Sequence, residues 1–583
     1  MDADLRRAVG RRGIRTGLIV GAAGVYVAAI GLVQRFDERE FITDVISLGY
    51  LLYAILGLSA GYVAAGLKRG IEGNEPIGTQ ASVAVGAIAG FVSGIVMTPF
   101  LFAIDTFAVR DTFVNISGRL FEILSLGRGA GFAALFYMLG GALLGALGAA
   151  FRLVSPSGRR LVVTGVTAVA GMSLMEPLIR VMLSDINKEV FRQINLDIPP
   201  DWLYEAGGLT VLGTVVVFAV AAAVTIERKR RVERARIQAE EGGPAPERSV
   251  RAKRVSLGLI LLLLILLPQA VGRFPSEILG VVGIFVLLGI GLNVVVGFAG
   301  MLDLGYVAFY AIGAYSMGIL TSPASPLYTP ELSFWEALPI VIVITTIGGI
   351  MIGAPVLRLR GDYLAIVTLG FGEIIRVIVQ SDWASPMLGG AQGLLRVPGP
   401  SFFGIDLRAP DKIYYLILAC VFLVAFIAHR LKTSRIGRAW NAMREDESVA
   451  EAMGISIIKT KLLAFGVGAA LASFGGAIFA AKIGSLFPNT FLLIVSINVL
   501  AIIVLGGMGS IPAVVVGAFA LVGVPEVLRE FGEYRLLFYG VILMALMILK
   551  PEGLLPDRRR QEELHEAELD EALVVPAVVG GSS

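Results

Sequence analysis

Residues 255–297 read VSLGLILLLLILLPQAVGRFPSEILGVVGIFVLLGIGLNVVVG and contain two long apolar runs, 255–272 and 278–297. A membrane-spanning helix needs roughly 20 predominantly apolar residues. Only Arg273 and Glu277 carry charge in this stretch, and both lie between the two runs. The pattern therefore predicts two consecutive membrane-spanning helices joined by a short polar turn.

The composition of the whole chain agrees with this stretch. Of 583 residues, 56% are hydrophobic and only 16% are charged, and the mean hydropathy is +0.80. Soluble domains carry about 25% charged residues. The chain also has 71 glycines, which let membrane helices approach one another closely. We therefore predict an all-α polytopic integral membrane protein.

The same composition excludes several classes of partner and cofactor. The net charge of +3 is too small to indicate a nucleic-acid partner. Cys420 is the only cysteine, so the chain cannot form an internal disulfide. With only His429 and His565 as histidines, a metal centre is not expected.

The hydropathy criterion predicts about 16 transmembrane helices, six in the first half and ten in the second. The predicted spans of the first half are 14–34, 42–67, 81–104, 129–151, 160–182 and 207–227. Those of the second half are 255–272, 278–297, 299–320, 336–357, 363–381, 412–430, 461–483, 491–507, 512–529 and 534–550. An even number of crossings in each half brings both termini to the same side.

Basic residues decide which side that is. Cytoplasmic loops are enriched in Lys and Arg. The loop 152–160 and the segments 430–461 and 550–560 are basic, whereas the loop 183–206 is acidic. Both termini are therefore predicted to be cytoplasmic.

A polar stretch separates two predicted domains. Residues 228–254 contain ten basic residues around Gly242-Gly-Pro-Ala-Pro, a composition typical of a linker. We predict a basic cytoplasmic linker here, and its charges favour contact with membrane lipid as a topology anchor. It follows a six-helix domain of unknown role at 1–227 and precedes a second membrane domain at 255–556. Residues 557–583 are predicted to form a cytoplasmic tail.

The chain lacks the sequence features of an energy source. It contains no Gly-x-x-x-x-Gly-Lys-Ser/Thr phosphate loop, no His-Glu-x-x-His and no plausible catalytic Cys/His pair. An enzyme is therefore not expected, and neither is a cofactor. If this membrane protein transports a solute, we expect the energy for transport to come from another protein.

The most informative polar segment reads TSRIGRAWNAMREDESVAEAMGIS at 433–456. It has no proline and is rich in Ala and Glu, so it predicts helix. Asp446 and Ser448 are candidate caps for a second short helix, which Gly454 could close. The predicted apolar stripe consists of Ala439, Met443, Ala450 and Met453. A short amphipathic helix can lie on the membrane or dock into a groove on a partner.

This segment resembles a known family. Glu451-Ala-Met-Gly454 is similar to the coupling loop of ABC-importer permeases, in which Glu-Ala-Ala followed by Gly marks the helices that dock on the ATPase subunit. Met453 departs from that pattern. The resemblance implies an ATPase-coupling loop that contains Arg438, Arg444, Glu445, Glu451, Ala452 and Gly454.

Five further segments narrow the resemblance to branched-chain amino-acid (LIV-type) permeases, M-type subunit. They are 291–300, 304–315, 357–376, 504–510 and 550–556, within a region of roughly 255–556. The resemblance implies a permease subunit in the plasma membrane of a prokaryotic cell (the inner membrane). It also implies a separate H-type permease, two cytoplasmic ATPase subunits that use ATP, and a periplasmic or extracellular substrate-binding protein. The first 250 residues do not share it, and a sensor or assembly module attached to the permease stays an alternative for them.

A substrate path requires polar groups and irregular backbone that face a water-filled cavity. Glu373 can alternatively pair with Arg376 three residues later, and the glycines can serve close helix packing. The candidate path residues are Asn293, Gly297, Gly300, Tyr306, Thr368, Glu373, Gly506 and Gly507.

Two alternative functions stay open at this point. Related permeases for urea or another small solute have a similar sequence. An ion-coupled secondary transporter would need intramembrane acids at helix breaks and inverted repeats, and the two halves show no convincing repeat.

Overall fold

The chain folds as two compact units, Met1–Leu259 and Ile260–Ser583. The computed structural model describes residues 3–66, 79–106, 115–186, 200–205, 207–240, 250–324, 330–356, 359, 361–402, 404–527 and short pieces between 529 and 555. Most of the predicted span 534–550 and the predicted tail 557–583 lie outside the described residues. The described part is mostly helical.

Nine helices are described in the first unit. They are α1 (Ala3–Ala29), α2 (Leu32–Asp37), α3 (Leu48–Ala64), α4 (Thr79–Thr106), α5 (Gly118–Ser125), α6 (Ala130–Leu153), α7 (Pro156–Leu174), α8 (Glu176–Ile186) and α9 (Val211–Glu240). Glycines bring α4 and α6 into close contact, since a Cβ at Gly90 would collide with the carbonyl oxygen of Gly141. This is the small-residue packing expected between membrane helices.

Four short strands correct the expectation of a purely helical chain. They are β1 (Glu40–Ile42), β2 (Ile46–Ser47), β3 (Tyr204–Glu205) and β4 (Gly208–Leu209), in the order β2-β1-β4-β3. Strand β1 is antiparallel to β2 and parallel to β4, with Ile42 opposite Leu209. Backbone groups outside helices need hydrogen-bond partners, and the two loop segments supply them to each other. This pairing ties the start of the unit to its end.

The helices of the second unit follow the predicted spans closely. They are α10 (Val250–Val271, which begins in the first unit), α11 (Arg273–Leu292), α12 (Val307–Thr321), α13 (Phe334–Val356), α14 (Asp362–Gln380), α15 (Ser385–Leu388), α16 (Pro410–Thr433), α17 (Arg435–Glu445), α18 (Glu447–Ala452), α19 (Ile457–Ile483), α20 (Leu493–Gly506), α21 (Ile511–Ala518) and α22 (Val524–Val527). A two-stranded hairpin, β5 (Ser401–Phe402) and β6 (Ile405–Asp406), lies between α15 and α16. Helix α19 packs against α11, α12 and α13 and forms the centre of the unit.

The chain is a multi-pass membrane protein. Among the described residues, eight helices are long and apolar enough to cross a membrane, and four shorter apolar helices accompany them. Six of the eight long helices lie in the second unit. The total of 16 spans and the cytoplasmic termini stay predictions.

Several predicted spans are interrupted. The span 278–297 ends in a π-helical segment, Asn293–Phe298, and the next helix begins only at Val307. A π turn shifts the hydrogen-bond register by one residue and is common at functional sites. The span 160–182 is two helices, because α7 ends at Leu174 and α8 begins at Glu176.

Helix α9 extends into the predicted linker. It continues without interruption from the predicted span 207–227 to Glu240. Residues 228–240 of the predicted linker are therefore helical, and residues 241–249 lie outside the described residues.

Candidate functional site

The segment 433–456 forms two short helices, α17 and α18, as predicted. The hydroxyl of Ser434 caps the first helix. The carboxylate of Asp446 caps the second by accepting hydrogen bonds from the backbone N–H groups of Ser448 and Val449, at 2.7 and 3.0 Å. Gly454 follows α18 with a φ of +86°, a conformation that favours glycine. Asp446 and the closing glycine are thus confirmed, whereas Ser448 is not the cap, because its own backbone N–H is capped by Asp446.

The buried face of these helices differs from the predicted stripe. Trp440 and Ala450 are buried, and the indole N–H of Trp440 donates a hydrogen bond to the carbonyl of Thr460 at 3.0 Å. Met453, placed on the stripe by its spacing, is 79% exposed. The predicted stripe is correct for Met443 and Ala450, which are buried, and wrong for Met453. The chain breaks at Asp446, so one helical period does not extend across both helices.

A buried ion pair fixes α18 to the first turn of α19. The Lys461 ammonium lies 2.6 Å from the Glu447 carboxylate, and the exposed fractions of the two side chains are 2% and 25%. A charge that is removed from water needs a partner, so Glu447 is what permits Lys461 to be buried. The two helices are therefore held together by more than their short connection.

Two cations near α17 reach into the breaks between longer helices. The guanidinium of Arg444 donates a hydrogen bond to the carbonyl of Gly297, at 2.8 Å, within the π-helical segment. The ammonium of Lys432, at the end of α16, donates to the carbonyl of Gly509 at 2.7 Å. The side-chain oxygen of Asn293 accepts a hydrogen bond from the Gly509 N–H at 2.9 Å and so joins the two breaks. We call this group of five residues the glycine junction.

Glycine is required at several positions around the junction. A Cβ at Gly297 would collide with the side-chain oxygen of Asn293. Gly300, with a φ of +73°, packs against the stem of Arg444, and Gly507 has a φ of +128°. Gly506 packs against the carbonyl of Ala513. The glycines therefore serve both close packing and a change of chain direction.

Residues 553–555, in the last of the five segments that carry the resemblance, lie beside the same junction. The N–H of Leu554 donates to the carbonyl of Leu505 at 2.8 Å, and the N–H of Leu555 donates to that of Gly506 at 2.9 Å. The segment 504–510 and residues 553–555 thus meet beside the junction.

Other candidate path residues are buried and bonded within the unit. The hydroxyl of Tyr306 donates to the carbonyl of Gly468 at 3.0 Å, and the hydroxyl of Thr368 accepts from the N–H of Leu304 at 3.1 Å. Like Asn293, both are almost fully buried. These contacts connect α12 to α19 and α14. A role for them in a substrate path stays a prediction.

A line of polar side chains runs along α14. The guanidinium of Arg376 lies 2.8 Å from the Glu373 carboxylate, which confirms the predicted pair, and donates to Gln380 at 3.4 Å. The Gln380 amide donates to the side chain of Asn489 at 3.2 Å. We call Glu373, Arg376, Gln380 and Asn489 the α14 polar line. The helical spacing of Gln380 could have revealed it, whereas nothing in the sequence pointed to Asn489.

Comparisons with known proteins agree on one family. The family model for the permease component of branched-chain amino acid transport systems matches residues 274–549. The high-affinity branched-chain amino acid transport permease protein LivM of Salmonella typhimurium is 40% identical over 344 residues, which cover 55% of this chain and 79% of LivM. A probable LivM of Methanocaldococcus jannaschii is 24% identical over 47% of this chain and 91% of its own length. LivH of Salmonella typhimurium is 25% identical over 46% and 91%. No solved structure matches.

Proposed function

The chain belongs to the family of branched-chain amino acid ABC transport permeases, and we propose that it is the M-type subunit of an importer for branched-chain amino acids. The observation that carries this proposal is the identity to LivM over most of the length of LivM. The segments that first suggested the M-type subunit lie within or next to the matched residues 274–549. The relatives are transporter components and not enzymes.

The proposed importer contains several chains. A separate H-type permease pairs with this subunit in the plasma membrane, and the match to LivH is consistent with two related permeases. An external binding protein delivers the substrate. Two cytoplasmic ATPase subunits hydrolyse ATP, and this chain itself binds no cofactor.

The exposed face of α18 is the proposed docking surface for an ATPase subunit. Val449 and Met453 are 59% and 79% exposed, although both are large apolar residues in a polar segment. Glu451 and Ala452 are exposed beside them. Exposed apolar side chains rimmed by polar ones mark protein interaction sites. The opposite face, which contains Ala450, is buried against the rest of the unit.

The glycine junction is the proposed route by which ATPase movement reaches the membrane helices. Arg444 belongs to α17 and yet is bonded to the π-helical segment at Gly297. A displacement of α17 therefore acts directly on the end of α11. Through Asn293 it also acts on the break at Gly509, between α20 and α21.

We propose that the α14 polar line forms part of the substrate path. Ionisable groups in membrane segments face the bundle interior or a water-filled cavity. Glu373 is partly exposed and Arg376 is partly buried, so both can reach a cavity shared with the companion permease. A zwitterionic amino acid presents the carboxylate and ammonium that such a pair of charges would recognise.

Two other functions have less support from the structure and the sequence. A permease for urea or another small solute would share the coupling helices and differ only in substrate. An ion-coupled secondary transporter would have no use for an exposed apolar face on α18.

A docking variant tests the proposal. The chain is co-expressed with the proposed ATPase and H-type permease subunits. Met453→Asp is compared with Met387→Asp on α15, because the segment 382–411 has few basic residues and is predicted to be external. Loss of a central interface contact costs about 2 kcal/mol or more, which is roughly a 30-fold weaker complex. We expect Met453→Asp to abolish ATPase co-purification and leucine uptake, and Met387→Asp to retain ATPase co-purification.

The same preparation separates the alternatives. Uptake of urea but not leucine by the wild-type complex would show that the substrate is not a branched-chain amino acid. Uptake driven by a proton or sodium gradient in vesicles without ATP would refute the importer.

A further inference from the structure

The first unit contains a large apolar groove. It runs between the α3–α6 pair and α7, which itself packs against α9, and its volume is about 1010 Å³. Its walls consist mainly of Ile55, Leu58, Leu147, Val162, Val163 and Val166. In a bilayer, a gap of this size between apolar helices is filled by hydrocarbon, because water would find few hydrogen-bond partners there.

One end of the groove is basic. Arg159 and Arg160, in the first turn of α7, line it. The Arg159 guanidinium donates to the hydroxyl of Tyr62 at 3.3 Å, while its Nε is buried without a hydrogen-bond partner. Arg152 donates to the carbonyl of Tyr62 at 2.9 Å, and its guanidinium lies 5.0 Å from the centre of that ring.

Among the described residues, no carboxylate lies within ion-pair distance of Arg152, Arg159 or Arg160. Other arginines of the unit differ in this respect, since Arg35 and Arg119 both pair with Glu38. The basic end of the groove therefore has donors available for an external anion.

The position of the cluster along the membrane is consistent with a headgroup. Arg12, on α1, donates to the carbonyl of Val63 at the same end of α3, and Lys229 donates to Ser157 beside the start of α7. Basic residues collect at the cytoplasmic surface, where the anionic lipids lie. Basic pockets between membrane helices on that side bind lipid phosphates.

We propose that this groove binds one anionic phospholipid of the cytoplasmic leaflet. Its acyl chains lie along α3 and α7, and its phosphate accepts hydrogen bonds from Arg159 and Arg160. The site gives the first unit a ligand of its own, and it does not depend on the function proposed for the second unit.

The test is lipid retention by the purified full-length chain. The protein is equilibrated with phosphatidylglycerol or phosphatidylcholine in detergent, and bound lipid is counted by native mass spectrometry. We expect the wild type to retain phosphatidylglycerol selectively and the Arg159→Gln/Arg160→Gln variant to retain it at least tenfold less. The control Arg35→Gln/Arg119→Gln removes the same charge from the same unit and should behave as wild type.

A second variant tests the apolar part of the site. Val163→Trp places a bulky side chain in the groove without altering charge, and we expect the same loss of phosphatidylglycerol. Equal retention by the double arginine variant and the wild type would overturn the proposal. A Val163→Cys thiol can also be labelled with maleimide in the presence of either candidate occupant. Protection by the companion permease but not by phosphatidylglycerol would likewise overturn the proposal, because the groove would then hold a protein.

Discussion

The buried ion pair between Glu447 and Lys461 makes an asymmetric prediction. Glu447→Gln leaves the Lys461 ammonium without its carboxylate at a position that is 2% exposed. Removing one partner of a buried pair costs about 3–5 kcal/mol. Since each 1.4 kcal/mol is a factor of ten, the population in which α18 is detached from α19 should rise by about two to four orders of magnitude.

The reverse substitution should have little effect. Lys461→Met removes the buried charge and keeps an apolar stem of similar length. Glu447 is 25% exposed and can turn its carboxylate to water. We expect a change of less than tenfold, and the double variant Glu447→Gln/Lys461→Met should also remain close to the wild type.

Cysteine labelling measures the detached population. The chain has a single natural cysteine, Cys420, which is buried, so the background reaction with maleimide is low. Ala450→Cys places a thiol on the buried face of α18, and Val449→Cys places one on its exposed face. Labelling of Ala450→Cys should accelerate in the Glu447→Gln background, up to the rate of Val449→Cys. Equal acceleration by Glu447→Gln and Lys461→Met would refute the reasoning from burial.

Two further predictions concern the packing of the second unit, and both are checked by thermal unfolding in detergent. Gly305→Ala forces a Cβ against the carbonyl of Thr368 and should lower the free energy of unfolding by about 1–3 kcal/mol. The control Gly370→Ala should leave it unchanged, because a Cβ there meets nothing within 4 Å. An unchanged stability of Gly305→Ala would contradict the packing. Tyr306→Phe deletes a buried hydrogen bond to the backbone of α19. It should lower the free energy of unfolding by about 1 kcal/mol and the unfolding midpoint by about 1–3 °C. Tyr363→Phe, at an exposed position, should not change the midpoint, and a higher midpoint for Tyr306→Phe would contradict a stabilising hydrogen bond.

Local chemistry explains which parts of the structure were predictable. The Asp446 cap and the positive φ of Gly454 follow from residues adjacent in the chain. The pair Glu373–Arg376 follows from helical spacing alone. Membrane helices are likewise local, because each span satisfies its own backbone hydrogen bonds.

Contacts between distant segments could not be predicted in this way. Arg444 and Gly297 are 147 residues apart, and no periodicity in either segment indicates the other. The parallel pairing of Ile42 with Leu209 joins the two ends of the first unit. The exposure of Met453 depends on where α17 ends, which is decided by Asp446 and by the packing of Trp440 against α19.

The attachment of α17 and α18 bears on how the proposed importer would move. Arg444 holds α17 to the break at Gly297, and Glu447 holds α18 to Lys461 at the start of α19. A helix pair fastened at both places cannot swing freely when an ATPase displaces it. The displacement therefore passes to α19 and to the π-helical segment together. Large φ and ψ changes are absorbed by a few residues at element ends. Gly300 and Gly509, with φ of +73° and +82°, are two positions beside the glycine junction where the backbone already has that freedom.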